Sequence, residues 1–313
     1  MTLLVHLSSA DMFGGESRVE VGSFTCPACR MVDFDPEAAL SGWCTGCAAR
    51  TALPFDGPGT KVLVVGDVHG DMVWMEEQVI PYAKATGCSK VMQLGDFGMV
   101  WNDSTVHAEL DDLNESLENA GLTLIFLPGN HENHPLLALL AGAADQNEDG
   151  HYMLRPHVFY TGRLSAWTWD GLRMAAVGGA CSIDRSVRIE GVSWWPEESL
   201  RPEEVAAATQ LGPVDILFTH DAPMGVPMRL IPDVGSAAHR VYMTQIAESL
   251  GPSYWYHGHY HEPLYYRFHH PQGVATVRGL DCNHTEVRTD AMAPINLQSI
   301  SDGLNMTRYR PEA

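Results

Sequence analysis

Five short clusters of aspartate, histidine and asparagine lie along the chain, and each follows a run of apolar residues. They are Gly66-Asp67-Val68-His69-Gly70, Gly95-Asp96-Phe97-Gly98, Pro128-Gly129-Asn130-His131-Glu132, Thr219-His220-Asp221 and His257-Gly258-His259-Tyr260-His261. Carboxylate, imidazole and amide groups are side chains that bind divalent metals in proteins. One such cluster is common in turns and hydrogen-bonded cores, but five in the same setting favour a shared metal site.

Seven side chains in these clusters are candidate metal ligands: Asp67, His69, Asp96, Asn130, His220, His259 and His261. In Asp67-x-His69 and His259-x-His261, the two side chains are two residues apart on extended backbone. They therefore point to the same side and can bind one ion together. Seven ligands exceed the need of one ion with an open coordination position, and they fit two ions that share a carboxylate. The sequence thus predicts a two-metal site for Mn²⁺, Fe²⁺, Zn²⁺ or Ni²⁺.

Positioning these clusters requires strands that end at a common edge. Apolar runs at 62–65, 91–94, 122–127, 214–218 and 254–257 are typical of strands buried on both faces. Further strands are predicted at 2–7, 18–23, 174–177, 274–278, 295–299 and 306–310, and helices at 72–85, 105–119, 135–141 and 236–250. Strand and helix alternate, which indicates an α/β protein with layers of sheet and helix. Ligands of α/β sheets bind at the carboxyl ends of strands, so we expect the five clusters to converge.

Two Cys-x-x-Cys pairs precede these elements: Cys26 with Cys29, and Cys44 with Cys47. Four thiolates at this spacing form a closed tetrahedral site that suits structural Zn²⁺, with an iron site or a redox dithiol as the alternative. The segment resembles a zinc ribbon. Because the stretch 53–59 is rich in glycine and proline, the predicted boundary separates a zinc-ribbon-like segment, 1–56, from the main domain, 57–313. Cys88, Cys181 and Cys282 are expected to be buried thiols.

The charge of the chain limits its partners. The 313 residues include 39 acidic and 19 basic side chains, which gives a formal net charge of −20. This charge disfavours nucleic acid as a partner, although bound cations can offset acidity inside a cleft. No apolar run reaches the ~20 residues of a membrane span, and the first residues lack the basic start of a secretion signal. We therefore expect a cytoplasmic protein with no membrane partner, and its oligomeric state is left open.

The order of the clusters resembles the calcineurin-like metallophosphoesterase superfamily over about residues 61–313: Asp-x-His, Gly-Asp, Gly-Asn-His-Glu, His and Gly-His-x-His. The resemblance implies a four-layer α/β/β/α sandwich. It also implies that one ion binds Asp67, His69 and His261, that the other binds Asn130, His220 and His259, and that Asp96 bridges both. The stretches 178–185 and 194–198 further resemble a branch of this superfamily found in phages and actinobacteria.

The same resemblance implies the catalytic groups. The nucleophile would be a hydroxide that bridges the ions, and His131 would act as general acid or as a positive partner of the phosphoryl group. Many members carry an aspartate three residues after the bridging one, and it orients the catalytic histidine. Met99 stands at that position here, so Glu132 and Asp221 become the candidates for this role.

Arg185 is a candidate contact for the phosphate, because a planar guanidinium can bind two oxygens. The alternative is a surface ion pair with Asp184. The predicted function is hydrolysis of a phosphomonoester or phosphodiester bond in a small phosphate ester or nucleotide. Three alternatives remain: a nuclease of the same chemistry, a protein phosphatase, and a scaffold that binds metal without catalysis.

Overall fold

The computed structural model describes residues 58–226, 234–285 and 288–308, together with the backbone of five short strands between residues 18 and 50. The strands are β1 Arg18–Val21, β2 Phe24–Thr25, β3 Val32–Asp33, β4 Trp43–Cys44, β5 Ala49–Arg50, β6 Lys61–Val65, β7 Lys90–Gln93, β8 Thr123–Phe126, β9 Tyr152–Arg155, β10 Val158–Tyr160, β11 Leu164–Trp169, β12 Leu172–Val177, β13 Ile216–Thr219, β14 Tyr254–His257, β15 Leu264–His270, β16 Gly273–Gly279 and β17 Met292–Asn296.

The helices are α1 Met72–Trp74, α2 Ile80–Ala85, α3 Val106–Ala120, α4 His134–Ala143, α5 Pro202–Ala208, α6 Val234–Leu250, α7 Arg288–Ala291 and α8 Leu297–Arg308. A π-helical stretch, Met75–Val79, joins α1 and α2 into one continuous helical segment. Short 3₁₀ turns lie at Arg185–Val187 and Pro196–Glu198, in the connection between β12 and α5.

Two large sheets form the centre of the fold. One has the strand order β17-β6-β7-β8-β10-β9, and β6, β7, β8 and β10 run parallel in it. The other has the order β1-β15-β16-β14-β13-β12-β11, with β12, β13, β14 and β16 parallel. The carboxyl ends of neighbouring parallel strands lie at the same edge of their sheet. The loops after β6, β7 and β8 therefore lie side by side at the edge of one sheet, and the loops after β13 and β14 do so at the edge of the other.

The sheets pack face to face because alternate side chains of a strand point to opposite faces. In β6, Val62 and Val64 lie in the apolar core between the two sheets, whereas Leu63 and Val65 lie in the core beneath the helices. A third core lies on the outer face of the second sheet, where Leu217 packs with residues of α5 and α6 such as Val205 and Ile246. The layers are thus helix, sheet, sheet and helix, which confirms the predicted α/β/β/α sandwich.

The end of the chain differs from the sequence prediction. The strand predicted at 306–310 is wrong, because α8 extends through Arg308, and the strand predicted at 295–299 ends at Asn296. The Asn296 side-chain oxygen accepts a hydrogen bond from the Ser299 N–H at 3.2 Å, as a residue that caps a helix start does. Leu297, Ile300 and Leu304 are all buried, and their spacing places them on one face of a helix.

The N-terminal segment contributes short strands. The strand β1 pairs with β15, with Arg18 opposite His269, while β2 pairs with β3 and β4 with β5. Cys26, Cys29 and Cys47 lie outside the described residues, as does the strand predicted at 2–7. The zinc site and the boundary at 56 therefore stay predictions. Across the described ranges, no helix combines the length and the apolar character that crossing a membrane requires.

Candidate metal centre

Each ligand cluster begins where a strand ends. Asp67 follows β6, Asp96 follows β7 and Asn130 follows β8, all in the six-stranded sheet, while His220 and His259 follow β13 and β14 of the other sheet. The strand ends bring Asp67, Asp96, His220 and His259, together with His69 and His261, into two groups of potential metal ligands. The convergence that the sequence predicts is therefore present in the fold.

We call the first group the Asp67 group: Asp67, His69 and His261. One ligand atom from each lies within 4.8 Å of the others. The Nε2 atom of His261 is 3.1 Å from Oδ2 of Asp67, and Nε2 of His69 is 3.9 Å from the same oxygen. One carboxylate and two imidazoles thus face a common point.

We call the second group the Asp96 group: Asp96, His220 and His259, whose ligand atoms also lie within 4.8 Å of one another. The Nε2 atom of His220 lies 3.2 Å from Oδ1 of Asp96 and 3.0 Å from Oδ1 of Asn130. Asn130 thus adds an amide oxygen to this group. The other oxygen of Asp96, Oδ2, is 3.6 Å from Nε2 of His69. Its carboxylate therefore lies between the two groups, where a bridging ligand would stand.

Hydrogen bonds behind the histidines turn their ligand nitrogens toward the site. The Nδ1 atom of His220 is 2.7 Å from the Leu94 carbonyl oxygen, so Nδ1 is the donor and Nε2 faces Asp96. The Nδ1 atom of His69 is 3.2 Å from Oδ1 of Asn283, whose amide donates to Oδ2 of Asp71 at 3.0 Å. Partners of this kind fix the orientation of metal-binding imidazoles.

The charge balance of the site also suits cations. Burial would raise the pKa of Asp67 and Asp96, but the adjacent imidazoles, above all His220, hold the pKa of each carboxyl below its usual value. Burial alone would lower the pKa of His220, yet the two carboxylates raise it to about 9. His261 behaves alike: its hydrogen bond with Asp67 outweighs burial and raises its pKa to about 11. Two buried carboxylates thus require positive charge, which divalent cations supply by displacing these protons. The donor set therefore fits a pair of such cations.

Backbone conformation marks the same loops. His69, Asp96, His259 and His261 have φ angles of 52°, 50°, 73° and 49°, in the left-handed region. Among the described residues, Asp170 is the one other non-glycine residue with positive φ. Such conformations cost about 1–3 kcal/mol each and persist where surrounding structure holds them, often at functional sites. These residues are four of the seven predicted ligands. The extended backbone predicted for Asp67-x-His69 and His259-x-His261 is therefore wrong, and His259 and His261 lie in different groups rather than beside one ion.

Two glycines let the loops approach each other. A Cβ atom on Gly129 would lie 2.1 Å from Oδ1 and 2.2 Å from the backbone nitrogen of Asp96. A Cβ atom on Gly258 would lie 2.3 Å from Oδ1 of Asp67. No side chain fits at these distances, so the clusters that contain Gly129 and Gly258 need glycine for contact with the carboxylates.

Gly129→Ala is accordingly expected to lower the free energy of unfolding by about 1–3 kcal/mol, the usual cost of overpacking, and to weaken Mn²⁺ binding. The matched control is Gly142→Ala in α4, where an added Cβ meets nothing within 4 Å. Alanine favours a helix, so this control should be neutral or slightly stabilising. Urea denaturation and calorimetric Mn²⁺ titration measure both effects. Equal stability and equal Mn²⁺ affinity in the two variants would contradict the steric explanation.

His131 lies beside the Asp96 group with an accessible ring. Its backbone N–H donates to Oδ1 of Asp96 at 2.6 Å, and its Nε2 atom is 3.9 Å from Oδ2 of that residue. The side chain is 36% exposed, so a bound molecule can reach it. Burial lowers the pKa of His131 and the nearby Arg188 lowers it further, although the Asp96 carboxylate opposes them. The net shift favours the neutral ring.

The two candidates for orienting His131 make other contacts. Glu132 accepts hydrogen bonds from the backbone N–H groups of Phe97 and Gly98, and Asp221 binds the side chains of His239 and Tyr260. The side chain that contacts the His131 ring is Arg188, whose Nη2 atom lies 2.6 Å from Nε2 and 2.9 Å from Nδ1. Arg188, rather than Glu132 or Asp221, is therefore the side chain that contacts the His131 ring.

Arg185 has different hydrogen-bond partners. It donates to Sγ of Cys181 at 2.9 Å and to the Ser182 carbonyl oxygen at 3.2 Å. Asp184, its suggested surface partner, pairs instead with Nε of Arg188 at 2.9 Å. The role of Arg185 as a phosphate contact stays a prediction, and Arg188 is the arginine that contacts the His131 ring.

Sequence reasoning also missed three polar residues near the ligands: Ser182, Glu198 and Asn283. Ser182 and Glu198 lie in the stretches 178–185 and 194–198, whose resemblance to one branch of the superfamily implies no role for either residue. Asn283 follows Cys282 in a polar stretch that resembles an ordinary turn, so nothing local identifies its contact with His69.

Comparisons with known proteins agree with the geometry. The sequence model of the calcineurin-like phosphoesterase family matches residues 60–263. No curated protein matches the chain. One solved structure, 13% identical, aligns with a TM-score of 0.50 over 77% of this chain and 96% of its own, which shows a shared fold.

Two more distant solved structures also match. GAP50, the anchor in the inner membrane complex of Plasmodium, is 10% identical with a TM-score of 0.40 over 71% of this chain and 72% of its own. A novel phosphatase from Mycoplasma pneumoniae is 10% identical with a TM-score of 0.39 over 72% of this chain and 73% of its own. The family assignment depends on the sequence match, which covers more than half of the chain and includes all seven predicted ligands. This chain therefore belongs to the calcineurin-like phosphoesterase family.

Proposed function

We propose that this protein hydrolyses phosphate esters with two divalent cations, one held by the Asp67 group and one by the Asp96 group with Asn130. The observation that supports this proposal most directly is the position of Asp96. One of its oxygens faces His220 and the other faces His69, at 3.2 Å and 3.6 Å. A carboxylate placed in this way can serve both cations.

Bound cations of this kind activate water and offset the negative charge of the phosphoryl group. The protein must keep its ligand oxygens in place for that purpose. Oδ1 of Asp67 accepts the His259 N–H at 3.0 Å, and Oδ1 of Asp96 accepts the His131 N–H at 2.6 Å. Each carboxylate is thereby fixed by the loop that carries another functional residue, which limits motion of the whole site.

His131 and Arg188 are the groups that we assign to the substrate. Because the free protein favours a neutral His131 ring, the acid role requires the ring to take up a proton when a phosphoryl group brings negative charge beside it. His131 would then donate this proton to the leaving oxygen, and Arg188 would bind a phosphoryl oxygen through its guanidinium. Their contact, 2.6 Å between Nη2 and Nε2, places a cation against an imidazole that is itself close to Asp96. A phosphoryl group would bring negative charge to both side chains.

A small phosphate ester or nucleotide is the substrate class that we favour over nucleic acid, because the chain carries a net charge of −20. A nuclease and a protein phosphatase use the same reaction and remain the alternatives. Either class of bond, monoester or diester, is compatible with this site.

A substrate and metal screen tests the proposal. Protein stripped with a chelator and reloaded with Mn²⁺, Zn²⁺, Ni²⁺ or Fe²⁺ should hydrolyse bis-aryl or mono-aryl phosphates, and renewed chelation should abolish turnover. Faster turnover of single-stranded DNA or of a phosphopeptide would support one of the alternative substrates. Protein that binds two Mn²⁺ ions per chain yet hydrolyses none of these compounds would contradict catalysis and favour the scaffold.

A further inference from the structure

The side chain of Asn130 has an orientation problem that the other ligands do not have. Its amide has an oxygen, which can bind a cation, and an NH₂ group, which cannot, and the two have almost the same shape. Asn130 is buried, with 3% of its surface exposed, so water does not decide which end faces the Asp96 group. The surrounding residues must therefore fix the amide.

Hydrogen bonds connect Asn130 to two further buried residues. Nδ2 of Asn130 donates to Oγ of Ser182 at 3.0 Å, and Oγ of Ser182 donates to Oε2 of Glu198 at 2.6 Å. The backbone N–H of Ser182 donates to Oε1 of Glu198 at 2.7 Å. Ser182 and Glu198 are each 1% exposed, so the chain of hydrogen bonds is shielded from solvent.

The available donors and acceptors fix the direction of each hydrogen bond in this series. A carboxylate only accepts hydrogen bonds, so the single hydroxyl proton of Ser182 must point to Glu198. Oγ of Ser182 can then only accept a hydrogen bond from Asn130, so the NH₂ group of Asn130 must point to it. The amide oxygen is left facing His220, at 3.0 Å from Nε2. In the reversed orientation, the amide oxygen of Asn130 would face Oγ of Ser182, and two buried acceptors without a hydrogen between them are costly.

We infer that Ser182 and Glu198 are positioning residues that fix the Asn130 amide with its oxygen toward the Asp96 group. This inference rests on the proposed function, because it assigns these residues to the same metal site. It also gives a role to the two stretches, 178–185 and 194–198, that no catalytic role otherwise explains.

Backbone contacts hold both stretches in position. A Cβ atom on Gly178 would lie 2.2 Å from Pro128, and the Gly179 N–H donates to the Pro128 carbonyl oxygen at 2.7 Å. Ser182 is thereby brought beside the loop that carries Asn130. Glu198 ends the 3₁₀ turn Pro196–Glu198, and its carbonyl oxygen accepts from Nη1 of Arg163 at 3.2 Å.

Glu198→Gln tests the inference with little change of shape. A glutamine can still accept the Ser182 N–H, but its NH₂ group would donate to Oγ of Ser182. The hydroxyl proton then turns to Asn130, and the amide is stabilised in the reversed orientation. We expect calorimetric titration to show one of the two Mn²⁺ ions bound about 10–100-fold more weakly, the usual effect of losing a partner of a metal ligand. The exposed neighbour provides the matched control, Glu197→Gln, which should bind Mn²⁺ as the unchanged protein does.

A double variant separates orientation from simple structural support. In an Asn130→Asp background the side chain has two equivalent oxygens, so no amide remains to be oriented. Adding Glu198→Gln to this background should cost less than about twofold in Mn²⁺ affinity, against the 10–100-fold cost in the native background. Thermal unfolding with chelator present measures metal-free stability, and we expect Glu198→Gln to change it little.

The outcomes distinguish this inference from the proposed function. If the unchanged protein binds two Mn²⁺ ions and hydrolyses phosphate esters while Glu198→Gln binds both ions equally well, the positioning role is wrong and the proposed function stands. A loss of Mn²⁺ affinity that is equally large with and without the Asn130→Asp substitution would also overturn it. If the unchanged protein binds no Mn²⁺, both proposals fail together.

Discussion

Asp96→Asn is expected to reduce metal-dependent phosphate-ester hydrolysis by at least about a hundredfold, the scale of one lost catalytic group. Asp96 is 1% exposed and contacts both ligand groups, with His220 on one oxygen and His69 on the other. Asparagine keeps the shape but replaces one anionic oxygen with an NH₂ group that cannot bind a cation. The site also loses one negative charge, so at least one ion should bind more weakly.

Comparison with Asp103→Asn controls for the chemistry of the substitution, because Asp103 is exposed in the loop before α3. The measurements are kcat/KM on an aryl phosphate and the number of Mn²⁺ ions bound per chain. Near-normal turnover in Asp96→Asn would remove the bridging role from this residue and, with it, the main support for a two-metal site.

His131→Ala is expected to lower kcat by about 10²–10⁴-fold, the usual contribution of a positioned acid or base. The ring is 3.9 Å from Asp96 and is not a member of either ligand group, so Mn²⁺ binding should be nearly unchanged. If His131 protonates the leaving oxygen, the loss should be greater for alkyl phosphates than for nitrophenyl phosphates, whose leaving group needs no proton.

The exposed His107 in α3 provides the control, His107→Ala, which should leave both turnover and Mn²⁺ binding unchanged. A loss of equal size for good and poor leaving groups would contradict the acid role and would favour a purely electrostatic one. Normal turnover in His131→Ala would contradict both.

The convergence of the candidate metal ligands could be predicted because their signal is local. Each lies within five residues of the end of a short apolar run, and strands of that kind occupy the middle of a layered fold, where their ends meet. The strand predicted at 254–257 is the strand observed, and 62–65 lies within Lys61–Val65. Runs buried on both faces are hard to mistake, which explains the accuracy there.

Contacts between loops could not be predicted in the same way. Arg188 and His131 are 57 positions apart, and Asn283 and His69 are 214 positions apart. Which loop residue reaches across such distances depends on turn geometry, which the residue types alone do not specify. The strand β15 is a different case, because the alternate burial of Tyr266, Phe268 and His270 is a pattern that the sequence prediction does not include.

The candidate ligands in each of the two groups come from both sheets of the sandwich. Asp67 and Asp96 follow strands of the six-stranded sheet, whereas His261 and His220 follow strands of the seven-stranded one. A bound ion would therefore act as a cross-link between the two halves of the molecule. Loading with metal should therefore raise the unfolding temperature of the whole domain in one cooperative transition. Chelation should loosen this edge of the sandwich first, which would be measured as faster amide hydrogen exchange in the five loops.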